Sequence, residues 1–337
     1  MTGGLAIEAV GLAKTFRVFD RRPGFLGALR DVVDRRWRDL HAVEGIDLAI
    51  PRGDIVGYLG PNGAGKSTTI KMLTGIMRPT RGSIRVNGFD PQRERKAYAR
   101  TVGAVFGQRS QLWWDLAVGE SFELLRRLYD VPEADYRARL ARFEPVLGLN
   151  EILATPVRKL SLGQRMKADL AASLIHQPAV LFLDEPTVGL DVVAKERLRG
   201  FLKALNAELG TTILLTTHDL QDIAALCQRV VVIDHGRVVH DGGLDALIAR
   251  AQAPKRLRLT LAPGSDADLG ALAWPGCAWS RPGPVELTAL LAPGCDVPAL
   301  LQKALAACTV VDVRLEEPSI ESVIAAMYSR PGAAETR

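Results

Sequence analysis

Long apolar runs are missing from this sequence. No stretch reaches the roughly 18 uncharged apolar residues of a membrane-spanning helix, so none is expected. Residues Met1 to Val10 lack the basic start, apolar core and small-residue cleavage site of a secretory leader. Cysteine is scarce: Cys227, Cys277, Cys295 and Cys308 form no CxxC pair, and no histidine stands near them at metal-ligand spacing. That excludes a zinc site and predicts reduced, structural thiols, as suits the cytosol. Excess charge is small, +5, and residues 251–337 hold 8 basic and 9 acidic side chains, so the surplus lies in the first 250 residues. A nucleic-acid binder would concentrate it on one face or arm; the only candidate is 17–40. There is no internal repeat and no low-complexity run. What remains is an ordinary globular balance, 47% hydrophobic and 24% charged, over 337 residues. That length fits a large domain plus a small one in a soluble intracellular protein.

Strands are expected at 5–10, 43–50, 55–59, 83–87, 102–106, 180–183, 212–216 and 230–233. Helical spacing occupies 66–72, 118–128, 134–147, 164–175, 191–208 and 220–227. Such alternation implies an α/β fold, a mostly parallel sheet covered by helices. The tail differs. It alternates with period two at 255–262, passes a Pro/Gly-rich stretch at 263–284, and then reads as strand (285–292), helix (298–307), strand (310–315) and helix (318–329). The expected division is 1–250 and 251–330, the second part a small α+β domain, with 331–337 frayed.

The strongest chemical signal is Gly60-Pro61-Asn62-Gly63-Ala64-Gly65-Lys66-Ser67-Thr68, which fits GxxxxGK[ST] between an expected strand and an expected helix. Glycines let the backbone curl so that successive N–H groups face phosphate oxygens. The helix start adds its positive dipole end. Lys66 would reach the β and γ phosphates, and the Ser67 hydroxyl would ligate Mg²⁺. Such a loop needs an acid on a neighbouring strand. Val180-Leu181-Phe182-Leu183-Asp184-Glu185 supplies two: Asp184 for the metal, and Glu185 to polarise an attacking water as general base.

These residues now resemble a family. Leu160-Ser161-Leu162-Gly163-Gln164 is similar to the signature of ATP-binding cassette (ABC) ATPases. Asp184 to Asp191 looks like its Walker B and D-loop, Thr216-Thr217-His218-Asp219 like its switch-histidine segment, and Val105-Phe106-Gly107-Gln108 like its Q-loop. All stand in family order over residues 5–245. The resemblance implies a P-loop cassette, a mostly parallel core with antiparallel β and helical subdomains, that hydrolyses ATP with Mg²⁺. It implies a head-to-tail dimer holding two nucleotides. In it Ser161, Gly163 and Gln164 contact the γ-phosphate bound by the other subunit's Lys66, and Asp191 lies at the seam. By the same resemblance His218 senses the γ-phosphate and orients Glu185. Gln108 bridges the magnesium site to a membrane partner, and Phe16, with Phe19 close by, matches the adenine-stacking position. Ser161 also stands where it could cap the following helix.

Two features depart from the pattern. Leu162 stands where the signature has glycine, so altered packing is expected there. The insertion 17–40, with seven Arg and four Asp, spaces Leu26, Leu29, Val32, Val33, Trp37 and Leu40 as an amphipathic helix. It suits anionic lipid headgroups, a permease, or its own domain. Residues 105–116, the insertion and the tail's Glu316-Glu317-Pro318-Ser319 resemble ABC-2-type exporter ATPases of the viologen or drug-exporter kind. That resemblance implies a homodimer on the cytoplasmic face of the membrane, separate integral-membrane permease chains and no nucleic acid. Trp113 and Trp114 would be anchors for the permease or core residues. The alternative is a soluble ABC ATPase with a non-transport partner. The ribosomal kind carries two cassettes and the DNA kind a long coiled coil, and neither is seen here. A non-hydrolysing regulatory cassette is opposed by Glu185 and His218.

Overall fold

The computed structural model describes residues 4–20, 37–107, 110–217, 219–251, 253–265, 268–270 and 272–316, with 318, 322, 323 and 326. The chain divides into two compact units, Met1–Leu244 and Asp245–Arg337.

In the first unit, β1 (Leu5–Phe19), β2 (Trp37–Pro51) and β4 (Arg81–Val86) form an antiparallel sheet in the order β2-β1-β4. A second sheet holds β3 (Ile55–Leu59), β5 (Val102–Phe106), β6 (Val180–Asp184), β7 (Thr212–Thr216), β8 (Arg229–Asp234) and β9 (Arg237–Gly242), in the order β5-β6-β7-β3-β8-β9. Its first five strands run parallel. Strands of such a sheet are covered on both faces and read as unbroken apolar runs, and Val180–Leu183 and Val230–Ile233 are fully buried. Strand β9 turns back on β8 through His235 (φ 44°) and Gly236 (φ 75°), a two-residue turn whose left-handed backbone matches strand twist. Ile7, Leu12, Ile46 and Ile50 of the antiparallel sheet share one core with Tyr58, Phe182, Leu214 and Val231 of the parallel one. Helix α1 (Lys66–Leu73) adds Ile70, Met72 and Leu73 to it. Each such side chain contributes about 1.5–3 kcal/mol through burial.

Helices α2 (Arg95–Ala99), α3 (Val118–Leu128), α4 (Glu133–Leu147), α5 (Leu162–Leu174), α6 (Val192–Leu209) and α7 (Leu220–Leu226) complete this unit. Helices α3 to α5 enter the chain between the parallel neighbours β5 and β6. The second unit begins at the first turn of α8 (Leu244–Ala251) and holds the antiparallel sheet β11 (Cys277–Gly283), β12 (Glu286–Leu291), β10 (Lys255–Leu261), β13 (Val310–Glu316). Helix α9 (Val297–Ala307) gives it Leu300 and Ala304, packed with Leu257, Leu259 and Leu287.

Three expectations change. The boundary falls six residues before 251, because α8 belongs with the tail: Ile248 and Ala249 line one cavity with Leu291, Cys295 and Leu315. The pair Gly242-Gly243 was the overlooked break. Second, Trp37 and Leu40 lie on a strand, not on an amphipathic helix. Strands β1 and β2 outrun the expected 5–10 and 43–50 and pair Phe16 with Leu40, Arg17 with Asp39, Val18 with Arg38 and Phe19 with Trp37. Cross-strand contacts favour that extension: Phe19 meets Trp37 edge to face at 5.8 Å, and the Arg17 guanidinium sits 5.5 Å from the Trp37 ring. The middle of the insertion, 21–36, lies outside the described residues, as does most of the expected 318–329 helix. Third, the Pro/Gly-rich stretch 263–284 contains strand β11, carried by pairing with β12.

Candidate nucleotide site

The phosphate loop leaves the carboxyl end of β3 and enters α1. Two of its glycines are required sterically. A Cβ at Gly60 (φ 154°) would stand 2.2 Å from the Ile233 carbonyl, and one at Gly65 (φ 106°) 2.4 Å from that of Ala42. Gly63 (φ 85°) faces open space. The loop is tied down by Ala64 N–H to the Pro61 carbonyl (3.2 Å) and Gly236 N–H to that of Ala64 (3.0 Å). The buried Lys66 curls back, its Nζ donating to the carbonyls of Gly60 (2.6 Å) and Pro61 (3.0 Å). Asn62 and Ser67 are exposed and Thr68 is half-buried at the helix start. A cation inside a loop of this shape, at a helix N-terminus, is a receptor for an anion such as phosphate.

The acidic pair lies at the end of β6, one strand further away than expected. Strand β7 separates it from β3, because the chain visits the sheet edge and returns inward. That intervening strand contributes Thr216, named above only as the start of the switch-histidine segment and given no role of its own. Its hydroxyl donates to Asp184 Oδ1 (2.6 Å) and accepts from Glu185 N–H (3.2 Å). Glu185 has φ 57°. A left-handed backbone costs a bulky residue about 1–2 kcal/mol, and such strain collects at functional sites. Gly107 N–H donates to the Asp184 carbonyl (3.1 Å), which brings the Val105–Gly107 segment to this strand end. Gln108 and His218 themselves lie outside the described residues.

Ser161 caps α5: its Oγ accepts from Gln164 N–H (3.2 Å), and Gln164 Oε1 accepts from Ser161 N–H (3.0 Å). Asp191 caps α6 by accepting from Ala194 N–H (2.8 Å), a bond that holds its carboxyl below the usual range. The two caps meet through Leu162, the residue where the pattern has glycine. A Cβ on Gly189 would lie 2.8 Å from Leu162 Cδ2, and one on Gly163 would lie 2.9 Å from the Gly189 carbonyl. Leu162 therefore rests on the loop before Asp191 while 41% exposed. Leu162→Gly is expected to cost about 1–2 kcal/mol, from lost packing and a glycine in a helix start. A shift of the urea midpoint measures it, and an unchanged midpoint would deny Leu162 this role.

Phe16 is half-buried on β1 with Lys14 Nζ 5.3 Å from its ring, whereas Phe19 is engaged by Trp37. Asp169, also missed from sequence, is buried in the middle of α5. It accepts from Ser110 Oγ (2.8 Å) and Gln111 N–H (3.0 Å), and burial pushes its carboxyl up to about 6. Its signal was a single acid inside the apolar run Ala168–Ala172.

The family model described as ABC transporter matches residues 43–188. The chain is 40% identical over 219 residues, 65% of this chain and 69% of the relative, to a daunorubicin resistance ATP-binding protein of Streptomyces coeruleorubidus. The chain belongs to the ABC transporter ATP-binding family. It is an ATPase subunit of that family, with ATP as its nucleotide. A methionine import ATP-binding protein of Brucella abortus is 33% identical over 226 residues, 66% of this ABC ATPase and 61% of the importer. A solved ATP-binding subunit of an ABC transporter superposes with TM-score 0.61 at 28% identity, covering 73% of this chain and 92% of its own. The ABC ATPase fold is thus the one expected: a P-loop cassette followed by a small tail unit. Among the described residues no helix is long and apolar enough to cross a membrane, and no cluster of three or more His, Cys, Asp or Glu could hold a metal.

Proposed function

We propose that this ABC ATPase powers an ABC-2-type exporter, driving drug-like cargo through separate permease chains by ATP-dependent pairing with a second copy on the inner face of the membrane. The supporting observation is the gathering of Lys66, Asp184, Glu185 and Thr216 at the carboxyl ends of parallel strands, where α/β sheets bind ligands. Lys66 and the loop amides hold the β and γ phosphates of ATP. Glu185 accepts a proton from the attacking water, with His218 orienting it. Ser161, Gly163, Gln164 and Asp191 complete the partner copy's site.

The donor set suits Mg²⁺, a hard cation that takes one or two protein oxygens and fills its shell with phosphate and water. Here these would be the Ser67 hydroxyl and the Asp184 carboxylate, with Gln108 as a further ligand on the family resemblance alone. Bound there, the ion neutralises charge developing on the phosphates.

The permease has a surface to meet. A cleft of about 270 Å³ is lined by Ile76, Arg95, Gln111, Tyr129 and His176, and the rings of the last two stack at 4.0 Å. Burial pushes His176 down to about 4, so this ring is uncharged at neutral pH. Ile76 is 61% exposed, Trp113 43% and Trp114 54%, which sets the tryptophans outside the core. Exposed aromatics are common anchors of an interface. A tagged chain purified from mildly solubilised host membranes is expected to bring multi-spanning proteins in fixed ratio, read by mass spectrometry. Recovery of ribosomal or DNA factors instead would sink the transport reading.

A further inference from the structure

The chain places a wholly buried carboxylate between the two loops that flank the reacting groups. Asp222, on α7, is 1% exposed. Its Oδ2 accepts from Thr187 Oγ1 (2.7 Å) and from Thr217 Oγ1 (3.3 Å), and its Oδ1 from Arg199 Nε (2.7 Å). A second Arg199 nitrogen closes the fork. Thr187 lies two residues after Glu185, Thr217 immediately before His218, and Arg199 on α6, the helix that Asp191 caps. Asp219 continues the network: its N–H donates to Thr217 Oγ1 (3.0 Å) and its carboxylate pairs with Lys195 (3.2 Å).

Burying a charge is costly, and an apolar pair of similar volume would often serve stability as well. A fully satisfied buried network instead fixes one arrangement of the segments it joins. Thr216, one residue from Thr217, already bonds Asp184 and Glu185. The two loops are therefore stitched at both ends, by Thr216 at the strand tips and by Asp222 behind them.

We propose that Asp222 is a positioning residue for hydrolysis. Through Thr187 and Thr217 it holds the turn after Glu185 and the end of β7, from which the chain leads to His218, at one spacing, and through Arg199 it registers both against α6. The inference rests on the assignment of Glu185 and His218 to the hydrolytic step. It predicts that loosening this stitch lowers the rate of the step and leaves nucleotide affinity alone, because the hydrogen-bond partners of Asp222 stand on the turn after β6, the end of β7 and α6.

The test uses the full-length chain. Thr187→Val keeps the side chain's shape and removes its donor, leaving Arg199 and Thr217 on Asp222, so the fold is retained. Its kcat for ATP is expected to fall about tenfold, the effect of one lost hydrogen bond expressed at the transition state. KM should hold, the thermal midpoint should fall by no more than the loss of one buried hydrogen bond accounts for, and Thr187→Ser should restore the rate. Asp222→Asn, which keeps an acceptor but uncouples Arg199, should likewise lower kcat with KM held, at a larger cost in thermal midpoint because the Arg199 charge loses its partner. In a Glu185→Gln background Thr187→Val should add nothing, since the group it positions is gone. Unaltered kcat in both Thr187→Val and Asp222→Asn, while Glu185→Gln is inactive, overturns the positioning role alone. Normal turnover in Glu185→Gln instead removes the assignment beneath it. A kcat loss that Thr187→Ser fails to restore, or that comes with a matching rise in KM, would reduce Asp222 to a structural residue.

Discussion

Glu185→Gln is expected to bind ATP as the parent chain does and to hydrolyse it about 10²–10⁴ times more slowly. The substitution is nearly isosteric, and Gln meets the same left-handed backbone at φ 57°, so the strain is unchanged. The N–H bonds to Thr216 belong to the backbone and survive. The substitution removes the proton acceptor, which corresponds to roughly 3–5 kcal/mol of barrier. Phosphate release under saturating ATP measures the rate, and a fluorescent nucleotide measures binding. With hydrolysis blocked, the ATP-bound variant should also run as a dimer in light scattering. A variant that turns over at the parent rate removes Glu185 as the base.

Lys66→Ala should act earlier, on binding. The ammonium of Lys66 bridges two carbonyls of its own loop, and these charge-assisted bonds contribute about 1.5–3 kcal/mol each where well formed. Alanine leaves the loop without its clamp and the γ-phosphate without its cation. Turnover is expected to fall by at least about 10²–10³, as when a preorganised donor is deleted from a reacting site. ATP affinity should weaken in parallel, in contrast with Glu185→Gln. The two variants together therefore separate the group that holds the phosphates from the one that moves the proton. ATP affinity unchanged in Lys66→Ala would falsify the clamp.

The parts of the fold legible in sequence were those whose signal is local. The runs Val180–Leu183 and Val230–Ile233 announce buried parallel strands because no polar face interrupts them. The glycines at 60 and 65 announce a curl that a side chain would block. The parts that escaped depend on partners distant along the chain. Strand β11 crosses a Pro/Gly-rich stretch with little propensity of its own and exists by pairing with β12. Residues 16–19 and 37–40 pair with each other across the insertion, which helical spacing could not reveal. In the site, Asp184 and Glu185 were legible as a strand end, but the insertion of β7 between them and β3 was not, since strand order is a topological property. Thr216 and Asp222 acquire meaning only once β7 and α7 stand beside β6, and no spacing rule joins residues 187, 199 and 222.

The backbone at Glu185 bears on how this chain responds to selection. Gly or Asn would occupy that left-handed position at lower cost than Glu. Heat resistance and turnover therefore pull this one codon in opposite directions. A library of the chain sorted for thermal survival alone would be drawn toward inactive proteins at position 185. Directed evolution toward a hardier version needs an ATP-turnover sieve in every round.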